Sequence, residues 1–124
     1  MHSVISTPIF LRQAERAGLT EEDITAIETT LASNPRGGAI VAGTGGARKL
    51  RIPRRGSGKS GGYRTIHYFG GDDVPIFLLA VFSKGDKANL SKAERNELAG
   101  ILPRLADTYR AAVASRAKEL RGQG

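Results

Sequence analysis

RKLRIPRRGSGKSGGYRTIHYF, residues 48–69, contains Gly58-Lys59-Ser60, the closing triplet of a nucleotide-binding phosphate loop. Such a loop carries a glycine five positions before its second glycine, where the chain turns tightly and aims N–H groups at phosphate. Pro53 stands at that place and has no N–H to offer. A phosphate loop also opens a helix whose N-terminal dipole meets the phosphates. Here YRTIHYF follows, aromatic and β-branched, and it reads as a strand. The stretch is therefore read as a β-hairpin: strand 48–52, glycine-rich loop 54–62, strand 63–69.

Working outward, GGDD makes a tight turn and VPIFLLAVF a third strand, so three consecutive strands form an antiparallel meander. The third is apolar on both faces and is expected to be the most buried. On the N-terminal side, Thr7-Pro8 reads as an N-cap with proline at the first helical position, and Gly18 as a stop. TEED, residues 20–23, is a capping box, with Leu19 and Ile24 spaced as a hydrophobic staple and Ile24, Ile27 and Leu31 on one helical face. Asn34-Pro35 ends that helix. Residues 36–46 read as a loop or short edge strand. SKAE, residues 91–94, opens a further helix with the stripe Leu98, Ile101, Leu102, Leu105, Tyr109 and Val113, where Gly100 and Pro103 predict a kink or two helices. The fold class is α+β: two N-terminal helices packed on a small antiparallel sheet, with a C-terminal helix. The other sheet face is expected to lie open. The 124 residues form one domain, 1–124, with a helical extension over about 103–124.

Cysteine is absent, which excludes thiol catalysis, cysteine-ligated zinc and disulfides. The longest apolar run, IFLLAVF, is too short to span a bilayer, and MHSVISTPIF lacks the basic start and cleavable apolar stretch of a leader; the expected location is the cytoplasm, away from membranes. The net charge is +7, and its distribution is uneven. No Asp or Glu occurs from Thr29 to Gly71, a span that holds Arg36, Arg48, Lys49, Arg51, Arg54, Arg55, Lys59 and Arg64. Such a block calls for a polyanion, and nucleic acid comes first.

Alternation along a strand puts Lys49 and Arg51 on one face and Arg48, Leu50 and Ile52 on the other. Leu50 and Ile52 are the natural core positions, so Lys49 and Arg51 face the open side. Arg64 lies across the hairpin and Lys84 ends the third strand, so four cations can converge on one surface. Other catalytic sets are thin. His2 and His67 offer neither a metal cluster nor a paired acid and base, and His67 reads as a packed or half-exposed strand residue. Glu21, Glu22 and Asp23 are explained by the helix dipole. Tyr63, Tyr68 and Phe69 could stack on bases, although strand aromatics are more often core. No metal or cofactor is called for.

Taken in order, TPIF, GTGGARKLR, GKSGGYRTIHYF and LLAVFSKGDKANLSKAE resemble the RelE/ParE superfamily of toxins from type II toxin-antitoxin systems, specifically its HigB branch, over about Val4 to Leu98. The resemblance implies a RelE-like ribonuclease fold and a ribosome-dependent mRNA endoribonuclease, an mRNA interferase that inhibits translation. It also implies a cognate HigA-like antitoxin with a helix-turn-helix part, through which alone operator DNA would be bound. The family's Lys-x-Lys pair matches Lys49 and Arg51 as K-L-R, its Gly-Tyr-Arg arginine matches Arg64, and its later cation matches Lys84. These four are the catalytic candidates. Arg48, Arg54, Arg55, Lys59, Tyr63 and Lys87 are the candidate RNA contacts. Two departures stand out: GDKANLSKAERNELAG lacks the tyrosine that several relatives carry after the last cation, and Arg51 replaces a lysine, which surrenders a proton far more readily than arginine. Lys49 is the better base, because neighbouring positive charges favour its neutral form. The alternative reading from another class is a ParE-like toxin that poisons DNA gyrase and cuts nothing.

Overall fold

The computed structural model describes residues 2–53, 62–83, 85 and 89–122. Among these the chain forms β1 (Val4–Ser6), α1 (Pro8–Arg16), α2 (Glu21–Ser33), β2 (Ala39–Ile40), β3 (Arg48–Ile52), β4 (Tyr63–Tyr68), β5 (Ile76–Ser83) and α3 (Lys92–Gly122). The fold is α+β, with the sheet in the order β1-β5-β4-β3-β2. The meander β3-β4-β5 is antiparallel, β2 adds an antiparallel edge, and β1 joins β5 in parallel. The sheet is thus mixed and five-stranded, larger than the three strands read from sequence. β1 escaped that reading because three residues are too few to show a period of two.

Local chemistry sets the helix starts. The Thr7 hydroxyl caps α1 by accepting from the Phe10 amide at 3.3 Å, and it donates to the Leu78 carbonyl at 2.9 Å, pinning the helix to the sheet. In α2 the Thr20 and Asp23 side chains exchange bonds with each other's amides at 3.1 and 2.9 Å, and Ser91 and Glu94 do the same for α3 at 3.2 and 2.8 Å. Both capping boxes legible in the sequence are present. Where β1 stops pairing with β5 at Leu78, the Gln13 side chain accepts from the Val81 amide at 2.9 Å.

Two cores flank the sheet. On one face Phe10, Ala14, Leu19, Ile27 and Leu31 of the N-terminal helical region meet Ile52, Tyr63, Ile76, Leu78 and Val81. On the other, Ile66 and Phe82 are buried with Val41, Ala47, Leu90 and Leu102, and Leu98 and Leu105 pack beside them. The expectation of an open second face is therefore corrected: α3 covers much of it. The cause is the apolar character of β5 on both faces, which leaves Phe82, Leu79 and Ala80 to be buried on the side away from α1 and α2.

α3 runs unbroken through Pro103, so of the two expectations there, a kink or two helices, the second is corrected. The proline costs one hydrogen bond, to the Ala99 carbonyl. Leu102 and Ala106, both buried, anchor the turns around it. Arg110 then ties α3 to the β4–β5 turn. It chelates the Asp73 carboxylate, Nη2 to Oδ1 at 2.9 Å, and also donates to Asp107 at 3.1 Å and to the Gly70 carbonyl at 3.3 Å. The hydrogen bond from Arg110 holds the Asp73 carboxyl below the usual carboxylate range. No helix among the described residues is long and apolar enough to cross a membrane.

Candidate functional site

The hairpin register sets the geometry. Arg51 lies directly opposite Arg64, and Arg64 lies directly opposite Phe82, so one row across the sheet reads Arg51, Arg64, Phe82. The next row on the same face reads Lys49, Ile66, Ala80. Directly opposed Cβ atoms sit about 4.5–5.5 Å apart and diagonal ones about 7–8 Å, so Lys49, Arg51 and Arg64 share one small patch. The second face is divided: its apolar end, with Ile66 and Tyr68, lies under α3, and its cationic end begins where the buried residues stop.

Burial differs within the patch. Arg51 is exposed, whereas Lys49 and Arg64 are half-buried. The Nη1 nitrogen of Arg64 is buried with no hydrogen-bond partner among the described residues. A buried charged donor left in that condition costs on the order of 1–3 kcal/mol or more. Like charges set opposite each other, as Arg51 and Arg64 are, add a further ~0.2–1 kcal/mol of destabilisation. A structural role explains neither term, but an anion seated against the patch removes both.

The backbone around the patch leaves little room for substitution. A Cβ at Gly62 would stand 3.2 Å from the Ile52 carbonyl, a tight approach, and 3.5 Å from the Arg51 Nε, an ordinary contact. At Gly38, where φ is +77°, a Cβ would fall 2.1 Å from the Lys49 carbonyl oxygen. The edge strand can therefore approach β3 only through glycine.

Two further candidates lie elsewhere. Arg48 points to the opposite face and donates to the Arg36 carbonyl at 3.0 Å and more weakly to Gly38 at 3.5 Å, bracing the loop before β2. Tyr63, 5% exposed, belongs to the core beneath α1 and α2, so the structure does not bring its ring to the cationic patch. Lys84, Arg54, Arg55, Lys59 and Lys87 lie outside the described residues.

His67, expected to be a packed or half-exposed strand residue, is the former. It is fully buried; its Nε2–H donates to the Pro35 carbonyl at 2.9 Å, while Nδ1 is buried without a partner among the described residues. Burial pushes its pKa down, the Pro35 bond opposes this, and nearby Arg48 adds to the lowering. Arg36 meanwhile stacks over Phe69 with its guanidinium carbon 5.0 Å from the ring centroid, a contact that no spacing in the sequence announces.

Compared with protein families, the chain matches the model described as the RelE toxin of the RelE/RelB toxin-antitoxin system, over residues 3–123.

Proposed function

This chain belongs to the RelE toxin family, and from that premise we propose that it is a ribosome-dependent mRNA endoribonuclease of the HigB branch, neutralised by a HigA-like antitoxin with a helix-turn-helix part. Membership makes it the toxin of a toxin-antitoxin system, with an antitoxin as partner. The observation that carries the finer reading is Arg64. It pairs with Arg51 across the hairpin, diagonal to Lys49, and its Nη1 is buried with no hydrogen-bond partner among the described residues.

The proposed chemistry is attack by an RNA 2′-hydroxyl on its own phosphodiester. The 2′-oxygen bonds to phosphorus, the bond to the 5′-oxygen breaks, and the products are a 2′,3′-cyclic phosphate and a 5′-hydroxyl. Lys49 is the base that takes the 2′ proton, and Lys84 delivers one to the leaving oxygen. Arg51 and Arg64 hold the non-bridging oxygens, where charge accumulates in the transition state. The ribosome contributes water exclusion and alignment of the message. Arg54, Arg55, Lys59 and Lys87 contact RNA backbone and act on affinity more than on rate.

The test is 5′-end mapping of cellular RNA after induction of the wild type and of Arg64→Ala. The wild type is expected to leave new ends at codon positions and the variant none, with the variant's folding checked by circular dichroism. Full cleavage by folded Arg64→Ala refutes the assignment. Growth arrest without new ends points instead to gyrase poisoning.

A further inference from the structure

The second half of α3 has no role in the fold. From Ala111 to Gly122 every residue is exposed, and the helix runs past its Arg110 clamp for about 18 Å at 1.5 Å per residue. A segment of this length is marginal as a helix on its own in water. Yet the apolar stripe that seats Leu102, Ala106 and Tyr109 against the body continues along it at three- and four-residue intervals. Val113 and Leu120, 51% and 60% exposed, stand on that stripe with Ala112, Ala117 and the stem of Arg116. Arg116 lies along it and Arg121 at its flank, and Glu119 is the single carboxylate of the segment.

These features select the occupant. Antiparallel pairing with a second copy would centre between Arg116 and Ala117 and set the two Arg116 side chains together. A strip about 18 Å long on a helix about 10 Å wide also falls far short of the ~800 Å² per partner of a stable interface. The occupant must therefore cover the strip, continue onto other surface, and bring negative charge. We propose that the exposed half of α3 docks an acidic amphipathic helix of the antitoxin. Val113 and Leu120 insert into its apolar face, and Arg116 and Arg121 pair with its carboxylates. The inference rests on the family's antitoxin partner and not on the chemistry of the cationic patch.

The experiment measures binding of the full-length toxin to the full-length antitoxin of its own operon by biolayer interferometry at low and high salt. The variants are Val113→Asp/Leu120→Asp and, separately, Arg116→Glu. The double variant is expected to weaken binding tenfold to hundredfold. Arg116→Glu should weaken it several-fold at low salt and less at high salt, with thermal unfolding of the free toxin unchanged in both. Neither variant touches the cationic patch, and binding is read without cleavage, so the result is independent of what that patch does. Unchanged affinity in both variants overturns the proposal. So does a wild-type dimer in sedimentation velocity that the double variant dissolves, which assigns the stripe to a second copy. Binding to phosphatidylglycerol vesicles that the double variant abolishes, with antitoxin affinity intact, assigns it to a membrane surface.

Discussion

Replacing Arg64 by methionine is expected to make the protein more stable and functionally dead. The substitution keeps an unbranched stem of similar reach beside Phe82 and removes the charged head. With the head go the buried unpartnered Nη1 nitrogen, at about 1–3 kcal/mol, and the repulsion from Arg51, at ~0.2–1 kcal/mol. A net gain of about 2 kcal/mol shifts the melting temperature by roughly 6–10 °C for a chain of this size. The assay is differential scanning fluorimetry of the wild type and Arg64→Met, each with and without inorganic phosphate. Phosphate should stabilise the wild type by mass action at the patch and leave Arg64→Met nearly unmoved. A variant that melts lower than the wild type, or one that phosphate stabilises equally, refutes the idea that this arginine is held in reserve for an anion.

Gly38→Ala adds a side chain at φ +77° and drives its Cβ into the Lys49 carbonyl; a loss of about 2–4 kcal/mol in urea denaturation is expected. Leu102→Ala, at a fully buried position of α3, is expected to cost about 2–5 kcal/mol by the same measurement, and a loss under 0.5 kcal/mol would mean that the helix is not docked on the sheet. His67 supplies a pH dependence. Its folded pKa lies below the unfolded value of about 6.5, so its contribution is intact above pH 6.5. That contribution is lost as pH falls toward the folded pKa, because the unfolded chain takes up a proton that the buried imidazole refuses. The slope is at most about 1.4 kcal/mol per pH unit, and His67→Gln should lose less stability than the wild type between pH 7 and pH 5.

What could be read from the sequence was what local rules determine. Thr20 with Asp23 and Ser91 with Glu94 name their helix starts because a capping box needs only four residues. Lys49 and Arg51 separate from Leu50 and Ile52 because a strand alternates whatever surrounds it. Readings that depended on partners distant in the chain went less well. The apolar character of β5 on both sides already contradicted an open sheet face, since Phe82 and Ala80 had to be covered by something. Strand periodicity identified the need, but only tertiary packing could show that α3 meets it. Pro103 does not split the helix, because the burial of Leu102 and Ala106 on either side of it offsets the lost hydrogen bond. Arg48 and Tyr63 joined the RNA contacts by proximity in sequence, although alternation sets both on the core side, opposite Lys49 and Arg64.

The parallel pairing of Val4–Ser6 with Ile76–Leu78 also governs when this toxin can exist during its own synthesis. The opening strand leaves the ribosome with no neighbour to bond, and the strand it needs is not made until some seventy residues later. Chain closure over that separation is slow compared with hairpin formation, so a truncated nascent chain holds its cationic hairpin without the scaffold that would keep it in place. The finished sheet therefore exists only once residues 76–78 have been made and the opening strand has closed on them.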